Sequence, residues 1–240
     1  MAPRRWTTGD RVGSVPDVSF RARVRLIASI ARYGHREWIT PLDVLQRAED
    51  RIHQLAIASK LGVAIPPTIV SSDPAEIRRT LGSDTVIKAL GSGAFVNAEG
   101  QPQAVYTTPL TTELLESGDF GAAPFVAQAR IDAHSHLRVV TAGTVVRTAA
   151  LDADDWPLDW RMADDAHRSW RRHHSPEVEA QAVSLAAELG VGFSSQDWLV
   201  PVAGPPVFID LNPAGQWMFL PADVAEPITQ QIVNFLSYQP

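Results

Sequence analysis

Two short segments of this chain hold residues able to handle a phosphate and a divalent cation. Lys88 lies inside Val86-Ile-Lys-Ala-Leu90, an apolar run in which an ammonium must face a partner because burying it alone is prohibitive. Gly91, Ser92 and Gly93 follow at once. A lysine on a strand leading into such a turn can pair with nucleotide phosphates while the loop amides cover them. The same residues equally describe an edge-strand lysine with its amine in solvent. In Phe208-Ile-Asp-Leu-Asn-Pro213 the oxygen-bearing Asp210 and Asn212 stand two apart. Strand alternation therefore turns both to one face and leaves Ile209 and Leu211 toward the core. Asp197, on the preceding strand, completes an oxygen-only set suited to Mg²⁺ bound through carboxylates and substrate phosphates. A polar sheet face with an Asn-Pro turn accounts for any one of the three, but less well for all three together.

Two arginines extend the set. Arg138 alternates with Leu137 and Val139, and Arg161 closes Asp159-Trp-Arg161. Guanidinium groups near a metal can stabilise the charge that develops in phosphoryl transfer, and each is equally at home in a surface salt bridge. His134 and His136 share a strand face, but no third ligand at zinc spacing accompanies them. Trp170, His173 and His174 read as a solvated loop or a peptide contact, and Trp38, Trp198 and Trp217 as packing residues. Of the 21 basic residues only Lys60 and Lys88 are lysine, so a lysine kept among apolar neighbours invites a specific reason.

The elements that must position these residues are legible in outline. Residues 1 to 19 read as an extended arm without a sustained period. Val24, Leu26, Ile27 and Ile30 predict a helix over 20–32. Thr40-Pro41 caps a second helix that ends at Gly62, and Ser72-Asp73-Pro74 starts a third through Leu81. Ile65 to Val70 and Thr85 to Leu90 read as strands, and Ala94–Val96 with 104–107 as a hairpin. A helix over 111–117, strands at 125–131, 137–142 and 144–149, a helix from Pro176 to Leu189, strands at 195–201 and 207–211, and a helix over 225–236 complete the pattern. Residues 152 to 174, dense in Asp, Arg, His and Trp without a clean period, fit a loop near a site better than core. The alternation with several hairpins predicts an α+β fold.

Composition narrows the field. The 240 residues are 45% apolar and 20% charged, with a net charge of −6. That supports a packed core and argues against global disorder. The balance lacks the broad basic face that neutralises a nucleic-acid backbone, so no nucleic-acid partner is expected. No cysteine occurs, which excludes disulfide scaffolds, thiolate metal sites and a cysteine nucleophile and fits a reducing compartment. No apolar run reaches a bilayer span and no signal core follows the start. A soluble, cytoplasmic protein without a membrane partner is the expectation.

Taken in order, the segments resemble the ATP-grasp superfamily, especially the microviridin or graspetide peptide-maturing ligases and their RimK-like relatives. Trp38-Ile-Thr-Pro41, Arg51-Ile-His-Gln-Leu55, Gly62 to Thr68, Ser72-Asp73 and Val86-Ile-Lys88 look like that family's run through its central domain. Val105 to Leu110, Phe125-Val-Ala-Gln128, Leu137-Arg-Val139, Asp159-Trp-Arg161 and Phe208 to Trp217 continue it. Arg51 stands where these ligases generally carry lysine, Asp210 where many carry glutamate, and His136 where an acidic residue often precedes the Leu-Arg pair.

The resemblance implies two α+β subdomains gripping ATP, over 41–125 and 126–240. Residues 1–40 would be an arm and the last helix of a preceding domain. It implies that Arg51, Lys88 and the turn Gly91, Ser92, Gly93 contact the nucleotide, with Gln128, Ala129 and Ile131 forming the adenine-side hinge. Arg138 and Arg161 would contact phosphate or an acyl-phosphate, and Asp197, Asp210 and Asn212 would hold Mg²⁺. The implied activity is ATP-dependent joining of a carboxylate to an amine or hydroxyl, with a ribosomally made precursor peptide or a protein carboxylate as substrate and a homodimer as a possible assembly. The other reading is a non-catalytic ATP-grasp-like protein that binds nucleotide or peptide and assists a partner enzyme.

Overall fold

A computed structural model describes residues 11–33, 37–91, 94–96, 100–117 and 123–237, the side chains of 94–96, 102 and 117 excepted. Helices α1 (Val15–Tyr33), α2 (Leu42–Ala48) and α3 (Arg51–Lys60) lead into β1 (Thr68–Ser71), α4 (Pro74–Leu81) and β2 (Thr85–Lys88). Next come β3 (Ala94–Val96), β4 (Pro102–Ala104), β5 (Thr108–Pro109), α5 (Thr112–Ser117), β6 (Phe125–Ala129), β7 (Ala133–Ala142) and β8 (Val145–Asp152). After short 3₁₀ turns, β9 (Arg171–His173), α6 (Pro176–Leu189), β10 (Phe193–Pro201), β11 (Val207–Asn212) and α7 (Ala222–Ser237) finish the chain.

The strands form two antiparallel sheets, one ordered β1-β6-β2-β5 and the other β11-β10-β7-β8-β9, with β3 and β4 pairing apart from both. Helices and antiparallel strands thus make the α+β architecture that the pattern predicts. The hairpin lies at 94–96 and 102–104, and residues 108–109 pair with β2 instead. The turn at 97–99, like residues 1–10 of the expected arm, lies outside the described residues.

Alternation gives the second sheet two different faces. One packs Leu137, Val139, Ala150, Trp198, Phe208 and Leu211 against α6 and against Ala48, Leu55 and Ala58 of α2 and α3. The polar groups that enter this layer are paired. The Gln196 amide donates to Ala182 O (2.8 Å) and Ser194 Oγ (3.1 Å), and its Oε1 accepts from the Trp198 indole (3.2 Å). On the other face, Val140, Ala142, Ala149 and Leu151 pack beneath α7 with Trp160, Trp170 and Leu220. That face becomes polar toward His136, Arg138, Asp197 and Asp210, and there the site lies.

Three placements differ from the sequence-based expectation. Helices α2 and α3 pack on the second sheet rather than in the central subdomain, whose small core is Ile77, Leu110 and Ala127. Strand β6, expected to open the C-terminal half, runs between β1 and β2 of the first sheet. Trp160, Ala166 and Trp170 of the expected polar excursion are buried, Trp160 stacking edge-on against Trp170 at 5.2 Å. Trp160 and Ala166 fall in 3₁₀ turns and Trp170 in the irregular chain just after them, which carry no sustained 3.6 or 2.0 period. Trp38, expected to pack, is half exposed at 51%. No helix among the described residues is long and apolar enough to cross a membrane.

Candidate functional site

Between the sheets lies a cleft of two adjoining compartments that share Lys88, Thr107, His136, Leu158 and Ile209. The first is walled in about equal measure by apolar groups, among them Pro66, Val86, Ile131, Trp156 and Leu199, and by polar ones, among them Gln128, Arg130, Asp132 and Asp154. The second is smaller and charged, with Arg51, Asp159, Arg161, Asp197 and Asp210 in its wall.

Each charged residue arrives on a specific element. Asp50 caps α3 by accepting the N–H groups of Ile52 (2.9 Å) and His53 (3.2 Å), which sets Arg51 at the first helical position. From there Arg51 Nε and Nη2 reach Asp210 Oδ1 at 3.2 and 3.1 Å, and Nη1 donates to Ala89 O at 2.6 Å. One residue beyond Asp210, the buried Gln54 amide accepts the Leu211 N–H (2.9 Å) and donates to Leu211 O (2.7 Å). Gln54 thereby satisfies the free edge of β11 and fixes the strand that carries Asp210.

The second sheet aligns a row of charges. Asp210 lies opposite Asp197, and Asp197 opposite Arg138. Arg138 Nη1 donates to Asp197 Oδ1 at 2.6 Å and Nη2 to Gln216 O at 3.2 Å, with the arginine only 8% exposed. Between Asp197 and Trp198 the ladder slips by one residue, Trp198 facing Phe208. This β-bulge turns Ile209 into the cleft beside Asp210, whereas simple alternation sends it to the core.

The Asp159 turn completes the wall. Its carboxylate accepts Arg161 Nε (2.7 Å) and Nη2 (2.6 Å), and Oδ2 also takes the Thr107 N–H (3.0 Å). Arg161 lies with its guanidinium carbon 5.7 Å from the Tyr106 ring centroid, a cation–π contact. Burial pushes the Asp159 carboxyl up, but Arg161 and the two backbone donors outweigh it and hold it below the usual range. The same pair raises Arg161. Lys88 has no hydrogen bond or ion pair among the described residues, and burial pushes its amine down to about 8 against the pull of Asp210. Burial likewise lowers His136, opposed by Asp197 and Asp159, and so favours its neutral form.

The structure therefore brings together Arg51, Lys88, Arg161, Asp197 and Asp210, with Gln128, Ala129 and Ile131 along the first compartment. Gln128 is itself buried and donates to Thr68 Oγ1 at 3.1 Å. Arg138 and Asn212 stand apart from this group. Arg138 lies behind Asp197 as its partner, and Asn212 Oδ1 accepts the Ala214 N–H at 2.9 Å in a tight turn. Gly91 is exposed and lines neither compartment, while Ser92 and Gly93 lie outside the described residues. Asp159, Gln54 and His136 are the site residues that motif spacing did not single out for these roles. Asp159 and Gln54 sit inside segments already marked by their neighbours, and a buried acid or amide beside a functional arginine is the signal that finds them.

The donor set suits a divalent cation. Asp197 and Asp210 are directly opposite in the wall of the charged compartment, and each engages an arginine through Oδ1 alone, which leaves the second carboxylate oxygen of each free of an arginine. No group of three or more His, Cys, Asp and Glu that could hold a metal occurs among the described residues. A hard cation that keeps waters and takes the rest of its shell from phosphate needs no such cage.

No family model matches the chain, and no curated protein sequence does. Solved structures do. The macrocyclase MdnC of Microcystis aeruginosa MRC, bound with precursor peptide MdnA, superposes with a TM-score of 0.78 at 22% identity over 98% of this chain and 74% of its own. A RiPP-associated ATP-grasp ligase of Chryseobacterium gregarium, in complex with ADP and a leader and core peptide, gives 0.82 at 22% over 93% and 69%. Macrocyclase MdnB of Microcystis aeruginosa MRC gives 0.70 at 26% over 97% and 73%. Two antiparallel sheets with a cleft between them, superposing on these proteins over more than nine-tenths of the chain, give it the ATP-grasp fold, and within that fold it resembles the graspetide-type ligases.

Proposed function

We propose that the chain is an ATP- and Mg²⁺-dependent ligase that acts on a ribosomally made precursor peptide. A substrate carboxylate oxygen attacks the γ-phosphorus of ATP, ADP leaves, and an acyl phosphate results. An amine or hydroxyl then attacks the carbonyl carbon, inorganic phosphate leaves and the nucleophile loses its proton. The observation that carries this reading is Lys88, an ammonium without a partner among the described residues, at the boundary between the first compartment and the one walled by Asp197 and Asp210.

The first compartment suits a base, with Pro66, Val86, Ile131 and Leu199 supplying its apolar side. The Ala129 and Arg130 N–H groups are already taken by Pro67 O and Asp84 O, both at 3.0 Å. An N–H donor to the base is therefore left to the main chain at Ile131. Lys88 and Arg51 face the phosphates as fixed cations, and Arg161, held rigidly by Asp159, meets the transferring group. Arg138 contributes by holding Asp197 in place. Asp197 and Asp210 would hold Mg²⁺, which when bound neutralises charge on the transferring phosphoryl group. The support from relatives is that MdnC was solved with a precursor peptide and the Chryseobacterium gregarium ligase with ADP and peptide.

The test is isothermal titration with a non-hydrolysable ATP analogue, with and without Mg²⁺, on the wild-type chain and Lys88→Ala. Magnesium-dependent binding that the variant loses supports the reading. A wild-type chain that binds no analogue overturns it.

A further inference from the structure

We infer that the outward face of α1 docks on an anionic lipid surface, the helix lying in the headgroup layer with the rest of the chain held above it. The inference stands on α1 alone and is independent of the ligase reading.

Two apolar stripes run along Val15–Tyr33, and the fold uses one of them. Phe20, Val24, Ala28 and Ala31 are half-buried, and Asp17 on the same side is buried, its carboxylate accepting the Gly13 N–H (2.8 Å) and Arg21 Nε (3.0 Å). On the opposite side Val15, Val18, Ala22, Leu26, Ile30 and Tyr33 recur every three or four residues. All six are exposed, the five large ones by 57 to 83%. A helix on the surface of a folded domain turns a single apolar stripe to the core, so the second stripe marks a contact outside the domain.

The charges say with what. Arg23 and Arg25 lie on the two flanks of the outward stripe, and neither has an ion-pair partner among the described residues, whereas Arg32 Nε is clamped to Asp43 of α2 at 2.8 and 2.9 Å and holds the helix end on the body. Along the chain, eight arginines and two aspartates fall in the first 36 residues, and 13 basic and 25 acidic residues in the rest. A flat anionic surface takes the apolar stripe and both flanking guanidiniums at once, and it repels the acidic remainder, which sets the orientation. A nucleic-acid backbone would pair the arginines and leave the stripe uncovered. A coiled-coil partner fits less well, because the stripe keeps the 3.6 period of a straight helix rather than the 3.5 period of a supercoiled seam. That no described helix is long and apolar enough to cross a membrane bears on spanning alone. A helix of this kind lies in the surface plane, and the expectation of no membrane partner, drawn from spanning runs, does not reach it.

The experiment floats the chain through a density gradient with phosphatidylcholine vesicles containing or lacking phosphatidylglycerol, in low and in high salt. The wild-type chain should rise with the anionic vesicles and stay below with the neutral ones, and high salt should weaken the association. Arg23→Gln with Arg25→Gln should weaken it about thirtyfold, and Leu26→Asp with Ile30→Asp should abolish it. All four positions are exposed, so both variants should keep the wild-type urea melt and ADP titration. If the aspartates disturb the fold, the arginine variant alone decides the result. A wild-type chain that does not rise with anionic vesicles overturns the inference, and so does equal flotation of wild type and the arginine variant. An oligomer in sedimentation velocity that Leu26→Asp dissociates also overturns it, since a second copy then covers the face.

Discussion

Arg51 and Asp210 meet through a single oxygen. Both guanidinium contacts, at 3.1 and 3.2 Å, end on Asp210 Oδ1, and the third nitrogen crosses the cleft to Ala89 O at 2.6 Å. The arginine thus orients a carboxylate on one sheet while gripping the strand end beyond Lys88 on the other. The fork geometry of guanidinium allows both at once, which a lysine ammonium at the same position does not reproduce.

Arg51→Lys should therefore keep the charge yet lose the double attachment. ADP affinity is expected to fall severalfold in Arg51→Lys and by about tenfold or more in Arg51→Ala, as for loss of a charge-assisted hydrogen bond. Isothermal titration measures both, and equal affinity in all three proteins would show that the cross-cleft grip is irrelevant to the ligand.

Asp210 and Asn212 should part company on mutation, although alternation puts them on one strand face. Asp210→Ala should abolish the Mg²⁺ dependence of nucleotide binding. Asn212→Ala removes the acceptor for the Ala214 N–H and should lower unfolding stability by about 1 kcal/mol, with a smaller effect on Mg²⁺ dependence. Titration with and without Mg²⁺, beside a urea melt, separates the two, and loss of Mg²⁺ dependence in Asn212→Ala alone would reverse the assignment.

Arg138→Met should behave as a folding mutation. It strips Asp197 of its donor and leaves the Gln216 carbonyl only the Ser195 hydroxyl at 3.4 Å, and breaking a largely buried ion pair by removing one partner costs about 3–5 kcal/mol, the lower figure applying because Asp197 keeps some solvent. Denaturant unfolding gives the number directly. A melt unchanged from wild type would mean that the arginine is free to serve a ligand.

The amine of Lys88, pushed down to about 8, sets a pH window. Phosphate needs the ammonium, so ADP affinity should fall as pH rises through about 8. The ligand-free chain should respond oppositely. Between about 8 in the fold and about 10.4 when unfolded, the unfolded lysine holds the extra proton, so this residue makes folding more favourable as pH rises through that window. Lys88→Met should lack both responses, and titrations across pH 7 to 10 paired with melts would expose a lysine of ordinary basicity.

Gly192 tests how the segment before α2 seats on the second sheet. A Cβ built there would stand 1.9 Å from Ile39 O, and its N–H donates to Thr40 Oγ1 at 3.0 Å. Gly192→Ala must push two backbones apart, and a loss of about 3 kcal/mol in urea unfolding is expected, the scale of overpacking. A stability within 0.5 kcal/mol of wild type, the usual surface range, would mean that the 37–41 segment yields easily.

What could be read in advance follows a physical division. Lys88 showed itself because a charge in an apolar strand needs a reason, and the Asp197 and Asp210 pairing followed from period-two alternation plus a hairpin turn. Ile209 did not, because a bulge is a property of two strands and leaves no mark such as glycine in Val207–Asn212. The same limit hid the Arg138 role, since only the register of β7 against β10 shows that its nearest acid is Asp197. Helical periodicity revealed α2 and α3 but not which sheet they cover, and β6 looked alike for either half. Trp160 and Trp170 sat in irregular turns, where polar neighbours disguised two buried anchors.

The two hydrogen bonds from Arg51 and Asp159 across the cleft both end on main-chain atoms, Ala89 O and the Thr107 N–H. The wall nearer the first sheet can therefore change its side chains at 89 and 107 without losing either attachment, proline at 107 excepted because it removes the donor. The opposite wall has no such freedom at 51 and 159. Sequence drift that reshapes the cleft for a different ligand meets less resistance on the first-sheet side, and a single substitution at either of the other two positions is enough to loosen one wall from the other.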